Sequence, residues 1–214
     1  MAYKKIVHTL QSIAARRIFR QFAARHHLVY FGRVDARHDD HEMVMGITAS
    51  TNHSDDFFTV GTFEGHDVTM VVRRNTLTFP GKPSSTYTWL ITQIDLKQAL
   101  PHIFIDFHHH DETFFANMAV AFRAMQDMSP GFNELGARIL IDPLKYTEVR
   151  MVLLPHITAG LREHFAHLSV EVKDDQLFVY ANYTRPSITA LEHELKLAAW
   201  LAGQLNNIKI NKST

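Results

Sequence analysis

The densest group of side chains able to do chemistry is His108-His109-His110-Asp111-Glu112, and His38-Asp39-Asp40-His41-Glu42 is the second. Imidazole nitrogens and carboxylates suit zinc or a similar divalent ion when they converge from fixed backbone positions. Adjacent residues rarely converge, but on a strand His108 and His110 share a face. This predicts a candidate metal site of His108, His110 and Asp111, and with it a metal-assisted hydrolase that has His102 or Asp106 nearby. The competing reading is a solvated His-rich turn in which Asp111 caps the following helix. The absence of HExxH and its relatives favours that turn.

Other chemistry finds less support. There is no Gly-x-Ser-x-Gly elbow and no Gly-rich phosphate loop of either the Walker or the dinucleotide type, so no catalytic residue and no cofactor-binding residue is assigned. The chain has no cysteine, which excludes disulfides, thiolate ligands and a cysteine nucleophile. Asp39-Asp40, Asp55-Asp56 and Asp174-Asp175 fall in expected turns, where aspartate is favoured for its local backbone hydrogen bonds. His102, inside an apolar run, is expected to be a hydrogen-bonded core histidine, buried and neutral.

Acids and bases balance at 22 each, which argues against a nucleic-acid binder that relies on counterion release. The 15 histidines make the chain histidine-rich and its charge sensitive to mild acid. No run approaches the roughly 20 apolar residues of a spanning helix, and no signal-peptide pattern opens the chain. A cytoplasmic location is the expectation.

The elements that must position these residues begin with a helix over 3–25, where Tyr3, Ile6, Val7, Leu10, Ile13, Ala14, Ile18 and Phe22 recur at helical spacing. Its basic side could contact an anionic membrane surface, but packing on a sheet is favoured. Strands are expected over 28–34, 43–47, 57–63, 68–73, 87–94 and 100–107, with 50–56 a polar loop and Glu64-Gly65 a hairpin turn. Asp111 should cap a helix over 112–127.

Ala137 to Ile141 reads as a strand stopped by Asp142-Pro143, and Pro155 forces a helix restart. Leu144, Val149, Val152 and Leu153 then line one helix, and Ile157, Leu161 and Phe165 the next. Leu168 to Tyr183 reads as a hairpin turning at Asp174-Asp175. Its second strand is apolar on both faces, so something must cover its far side. A final helix over 187–205 carries Thr189 and Glu192 at capping-box spacing.

The chain resembles an uncharacterised bacterial protein family in Leu100-Pro101-His102-Ile103-Phe104-Ile105-Asp106, Phe132-Asn133, Leu154-Pro155 with Leu161, Val170-Glu171-Val172 and Leu177-Phe178-Val179-Tyr180. The resemblance implies relatives that often carry membrane helices, and it brings no catalytic residue with it.

Together these observations predict an α+β fold, an antiparallel twisted sheet or sheets covered by N-terminal, central and C-terminal helices. The chain reads as a single domain over 1–214, or as a strand-rich half, 1–107, and a helix-and-hairpin half, 108–214. The expected function is a non-enzymatic binding or scaffold module with a protein partner. The metal-assisted hydrolase using the cluster from His108 to Glu112 is the alternative.

Overall fold

From residue 3 to 25 the chain meets no helix breaker, and it forms α1, Ala2–Arg25. The computed structural model describes residues 2–33, 44, 46–48, 53–77, 85–108, 110, 114–115, 122–183 and 186–208. Along them follow β1 (Val29–Gly32), β2 (His53–Phe63), β3 (His66–Leu77), β4 (Ser85–Asp106), β5 (Gln126–Asp127), β6 (Arg138–Ile141), α2 (Tyr146–Val152), α3 (Pro155–His164), β7 (Leu168–Asn182) and α4 (Ile188–Asn206). The strands form one antiparallel sheet in the order β1-β2-β3-β4-β6-β5, and β7 pairs with β4 on the opposite edge from β3. The architecture is α+β.

Two expected elements merge at the centre. The strands expected at 87–94 and 100–107 are one continuous strand, β4, and the expected hairpin over 168–183 is also one strand, β7. They pair along nearly their whole length, from Trp89↔Asn182 to Asp106↔Ser169. Between Asp95↔Gln176 and Ile103↔Val172, β4 carries four more residues than β7 and bulges outward. Asp174, opposite Leu100, takes a left-handed φ of 54° there. The aspartate pair thus marks an irregularity in a straight strand, not a reversal. Both strands switch parity across it, so Leu90 and Ile94 share a face with Ile103 and Ile105, and Val170 and Val172 share it with Leu177 and Val179. The bulge also caps α4: Lys97 N donates to Asn206 Oδ1 at 2.7 Å, and Gln98 Nε2 donates to the carbonyls of Leu205 and Ile208. Leu205 lies in the last turn of α4, where carbonyls lack a partner inside the helix, and Ile208 lies just beyond it.

Other boundaries differ for local reasons. His53–Asp56 belongs to β2 instead of a loop, because it pairs with β3 beyond a bulge at Phe57 and Phe58. Val44 lies in a bend and Gly46–Thr48 in a turn, so the strand expected over 43–47 does not form there. Of the helix expected over 112–127, Phe114 and Phe115 are helical, whereas Gln126–Asp127 is a strand against β6; 111–113 and 116–121 lie outside the described residues. Asp142 accepts from Leu144 N at 2.9 Å, as the Asp-Pro pair implies, but Leu144 is exposed. The cap of α4 is Ser187, whose hydroxyl accepts from Ala190 N. Glu192 instead bonds to Arg25 and His26 at the end of α1.

The helices cover one face of the sheet. Phe19, Phe22 and Ala23 of α1, Val149 and Val152 of α2, Ile157 and Leu161 of α3, and Leu191, Leu195 and Ala198 of α4 enclose the larger core with the inward side chains of the strands. Ile13, expected on the apolar face of α1, is exposed, because the buried stripe runs through Ala15, Phe19 and Phe22. Gly160 lets α3 approach the Trp200 ring of α4, where a Cβ would collide with the indole. The opposite face carries a second core of Val71, Trp89, Ile91, Phe104, Leu140, Phe178 and Tyr180, closed by Val44, Ile47, Phe114, Phe115 and Phe122. The two-faced pattern of 177–180 therefore finds its cover.

Val179 is fully buried and Lys173 is exposed. Val179→Ala is expected to cost about 1–3 kcal/mol through lost burial and a partial cavity. Lys173→Ala should stay within about 0.5 kcal/mol. Denaturant unfolding of both variants checks the assignment, and equal losses would contradict it.

Candidate functional site

Charge collects on the face of the sheet away from the helices. Arg73 of β3, Asp106 of β4, and Ser169 and Glu171 of β7 are all buried on that side, with Tyr180 and the partly covered His102 among them. Taking a charge out of water costs several kcal/mol unless it is paired and hydrogen-bonded, so the partners of each group define what the seam does.

Arg73 is fully buried and faces Asp55 directly across β2 and β3. The bulge at Phe57 and Phe58, where Phe57 has a φ of 62°, sets this register. The guanidinium forks onto the carboxylate, Nε to Oδ1 at 2.8 Å and Nη2 to Oδ2 at 2.6 Å, the geometry that makes such pairs strong. Its remaining donors reach Val44 O at 2.6 Å and Thr48 Oγ1 at 3.3 Å. Asn75 adds a bond to Thr48 O.

Glu171 receives three donors: Tyr180 Oη at 2.5 Å, Ile47 N at 2.6 Å and, on its other oxygen, His102 Nε2 at 2.8 Å. Burial, then the neighbouring Glu171 charge, pushes the Tyr180 phenol well above its ordinary pKa, so it stays a neutral donor. Gly46 fits beneath that phenol because it has no Cβ, which would strike Tyr180 Oη.

Asp106 accepts from His110 Nδ1 at 2.9 Å, His110 N at 2.8 Å, His108 N at 3.1 Å and Ser169 Oγ at 2.9 Å. Burial alone would raise its pKa, but the hydrogen bonds and attraction of His110, with the Ser169 bond, outweigh it and hold the carboxyl below the usual range. The Ser169 hydroxyl donates to the carboxylate and helps to orient it. The His110 ring stacks on Phe114 at 4.1 Å and lies 5.3 Å from the Trp89 ring. Trp89 Nε1 and Gln93 Oε1 are buried without a partner among the described residues.

The candidate metal ligands His108 and His110 do come together, with ring centroids 4.4 Å apart. Asp111 lies outside the described residues, as do His109, Glu112 and the group from His38 to Glu42. Among the described residues no three His, Asp or Glu side chains gather around a common ion position. Asp106 joins His110, whereas His102 joins Glu171 instead. His102 is also not enclosed as expected: its side chain is 30% exposed at the margin of the seam.

Sequence reasoning gives no site role to Ser169, Glu171, Arg73 or Tyr180, and it suggests a turn for Asp55, which the structure puts in β2. The two-sided apolar run 177–180 signals a covered second face, but strict alternation sets Glu171 and Ser169 opposite Phe178 and Tyr180, and only the parity switch at Asp174 brings them to one face. Chemically, the seam positions more than it reacts. Each of its charges ties a covering segment to the sheet: Arg73 and Glu171 hold Val44, Ile47 and Thr48, and Asp106 holds His108 and His110.

No protein-family pattern and no curated protein sequence matches this chain. Among solved structures, the chain is similar in fold to the mycobacterial trehalose monomycolate transport factor A, TtfA, with a TM-score of 0.59 and 9% identity over 91% of this chain and 96% of that one.

Replacing Asp106 by Ala leaves two backbone N–H groups, an imidazole and a hydroxyl without their acceptor, and is expected to cost about 3–5 kcal/mol at neutral pH. The stabilising contribution of Asp106 is full above the unfolded carboxyl value of about 3.9 and is lost as pH falls through the lower folded value. Asp106→Asn should therefore flatten the stability profile below about pH 4. Urea unfolding from pH 7 to pH 3 measures both effects. A loss below about 1 kcal/mol in Asp106→Ala would show the seam to be dispensable.

Proposed function

We propose that the protein is a non-enzymatic binding or scaffold module that works through protein contacts. The observation that carries this reading is β1. It ends the sheet order among the described residues, and Val29 and Phe31, 53% and 61% exposed, project from it on the side opposite the partly buried Tyr30. An edge strand with exposed apolar side chains is a ready surface for another chain, through backbone pairing and side-chain burial together. The seam supports the same reading, since its ionised groups are spent on internal hydrogen bonds. So does the fold's similarity to a protein named as a transport factor.

Phe31→Ser is expected to leave the melting temperature nearly unchanged, because the side chain is exposed, and to reduce recovery of partners in quantitative affinity purification from the native host. Unchanged recovery of the same partners would remove β1 from the contact surface.

A second reading is favoured by the approach of His108 to His110 and by the Asp106 bond to His110 Nδ1, which leaves Nε2 as the ring's free ligand atom. A metal-assisted hydrolase using His108, His110 and Asp111 requires stoichiometric metal. Elemental analysis of protein purified without a His-tag tests it: about one zinc or similar ion per chain, lost in His108→Ala/His110→Ala, supports this reading, and metal-free protein opposes it.

A further inference from the structure

On the helical face, the first turns of α4 stand away from the end of the β4–β7 pair and leave a cleft of about 180 Å³. Leu90, Leu168, Ala181, Pro186 and Leu191 give it apolar walls, and Glu194 lines it together with them. Glu194 is 3% exposed. Among the described residues its one hydrogen bond is from Thr92 Oγ1 to Oε1 at 2.9 Å, and Oε2 has no hydrogen-bond partner. Asn182, Tyr183 and His193 are the other polar residues lining the cleft, and no lysine or arginine lines it. Every buried charge of the opposite face has a matching group, so this acid stands apart.

A carboxyl in such a place has two ways to avoid an uncompensated charge: to keep its proton or to meet a cation. Without a cation it keeps the proton, since burial drives its pKa well above the ordinary value and the Thr92 bond offsets only part of that. A ligand ammonium would supply the missing charge and three donors, one for the idle oxygen. The apolar part of the same molecule would bury against the leucines. Anionic ligands are disfavoured by the buried acid and by the lack of any lysine or arginine in the lining, where His193 is the single imidazole. The volume lies below the roughly 300 Å³ at which drug-sized sites begin, which limits the occupant to a short chain.

We infer that this cleft binds a small apolar primary amine, with Glu194 as its counter-charge and Thr92 as the group that orients Glu194. The inference is independent of the protein-contact reading, because no residue of β1 lines the cleft.

The test is calorimetric titration of the full chain with n-pentylamine, n-pentanol and pentanoate at pH 7.5. Saturable amine binding is expected, on the order of tenfold or more tighter than the alcohol, with no binding of the acid. Because Glu194 must lose its proton to pair with the ammonium, the binding heat should vary with the ionisation enthalpy of the buffer. Glu194→Gln should fold, as its amide needs no counter-charge, and should lose the preference for amine over alcohol. If that variant does not fold, Ala190→Leu, which narrows the cleft and leaves Glu194 in place, should weaken amine binding by a similar factor. Absence of saturable amine binding, equal affinity for pentanol, or undiminished binding in these variants would overturn the inference.

Discussion

The pairing of β4 with β7 is the constraint from which the remaining structure follows. Each strand is apolar on both faces, and each changes parity at the same irregularity. A strand that switched alone would turn its leucines and valines from the helical side to the other, since the side-chain period is two. Because both switch together, one continuous face remains for α1, α2, α3 and α4 to cover. The four extra residues of β4 also have a use: they fold out over the end of α4 and take up its last carbonyls.

The two faces are closed by different physics. Helices close the first through apolar burial, which is non-directional and tolerates repacking. Among the described residues the second is closed by Val44, Ile47, Phe114, Phe115 and Phe122. Directed bonds from Arg73, Glu171 and Asp106 fix the backbone beside them. Such groups are not free stability, since desolvation offsets much of what pairing contributes. Their effect here is positional: the turn at Gly46–Thr48 and the backbone at His108 and His110 are each fixed to a definite place.

Much of this arrangement was legible where the cause was local. Asp142-Pro143, the restart at Pro155 and the Glu64-Gly65 turn each act within a few residues, and each appears where its chemistry puts it. The two-sided apolar pattern of 177–180 also foretold a covered second face. Nonlocal causes misled. Asp174-Asp175 suits a hairpin turn and a bulged strand equally well, because both use a left-handed residue; only the presence of β4 decides. Arg73 meets Asp55 instead of Asp56 because a bulge at Phe57 shifts the register by one, and no local propensity announces a phenylalanine at a φ of 62°. Of the candidate site, the predicted ligands His108 and His110 lie close together, but beyond the end of β4, so strand alternation is not what joins them. The carboxylate that holds them, Asp106, had only a minor place in that reading.

The cap that Gln98 places on the end of α4 has a kinetic side. Its two ends lie about a hundred residues apart in sequence, as do many partners in the β4–β7 ladder. Helical turns within α1 or α4 form on a submicrosecond scale. The contacts that terminate α4 and decide which face of β7 is inward must wait for a long loop to close. High contact order of this kind slows folding. The last turn of α4 is thus tied to the same long-range closure that sets the register of the central pair.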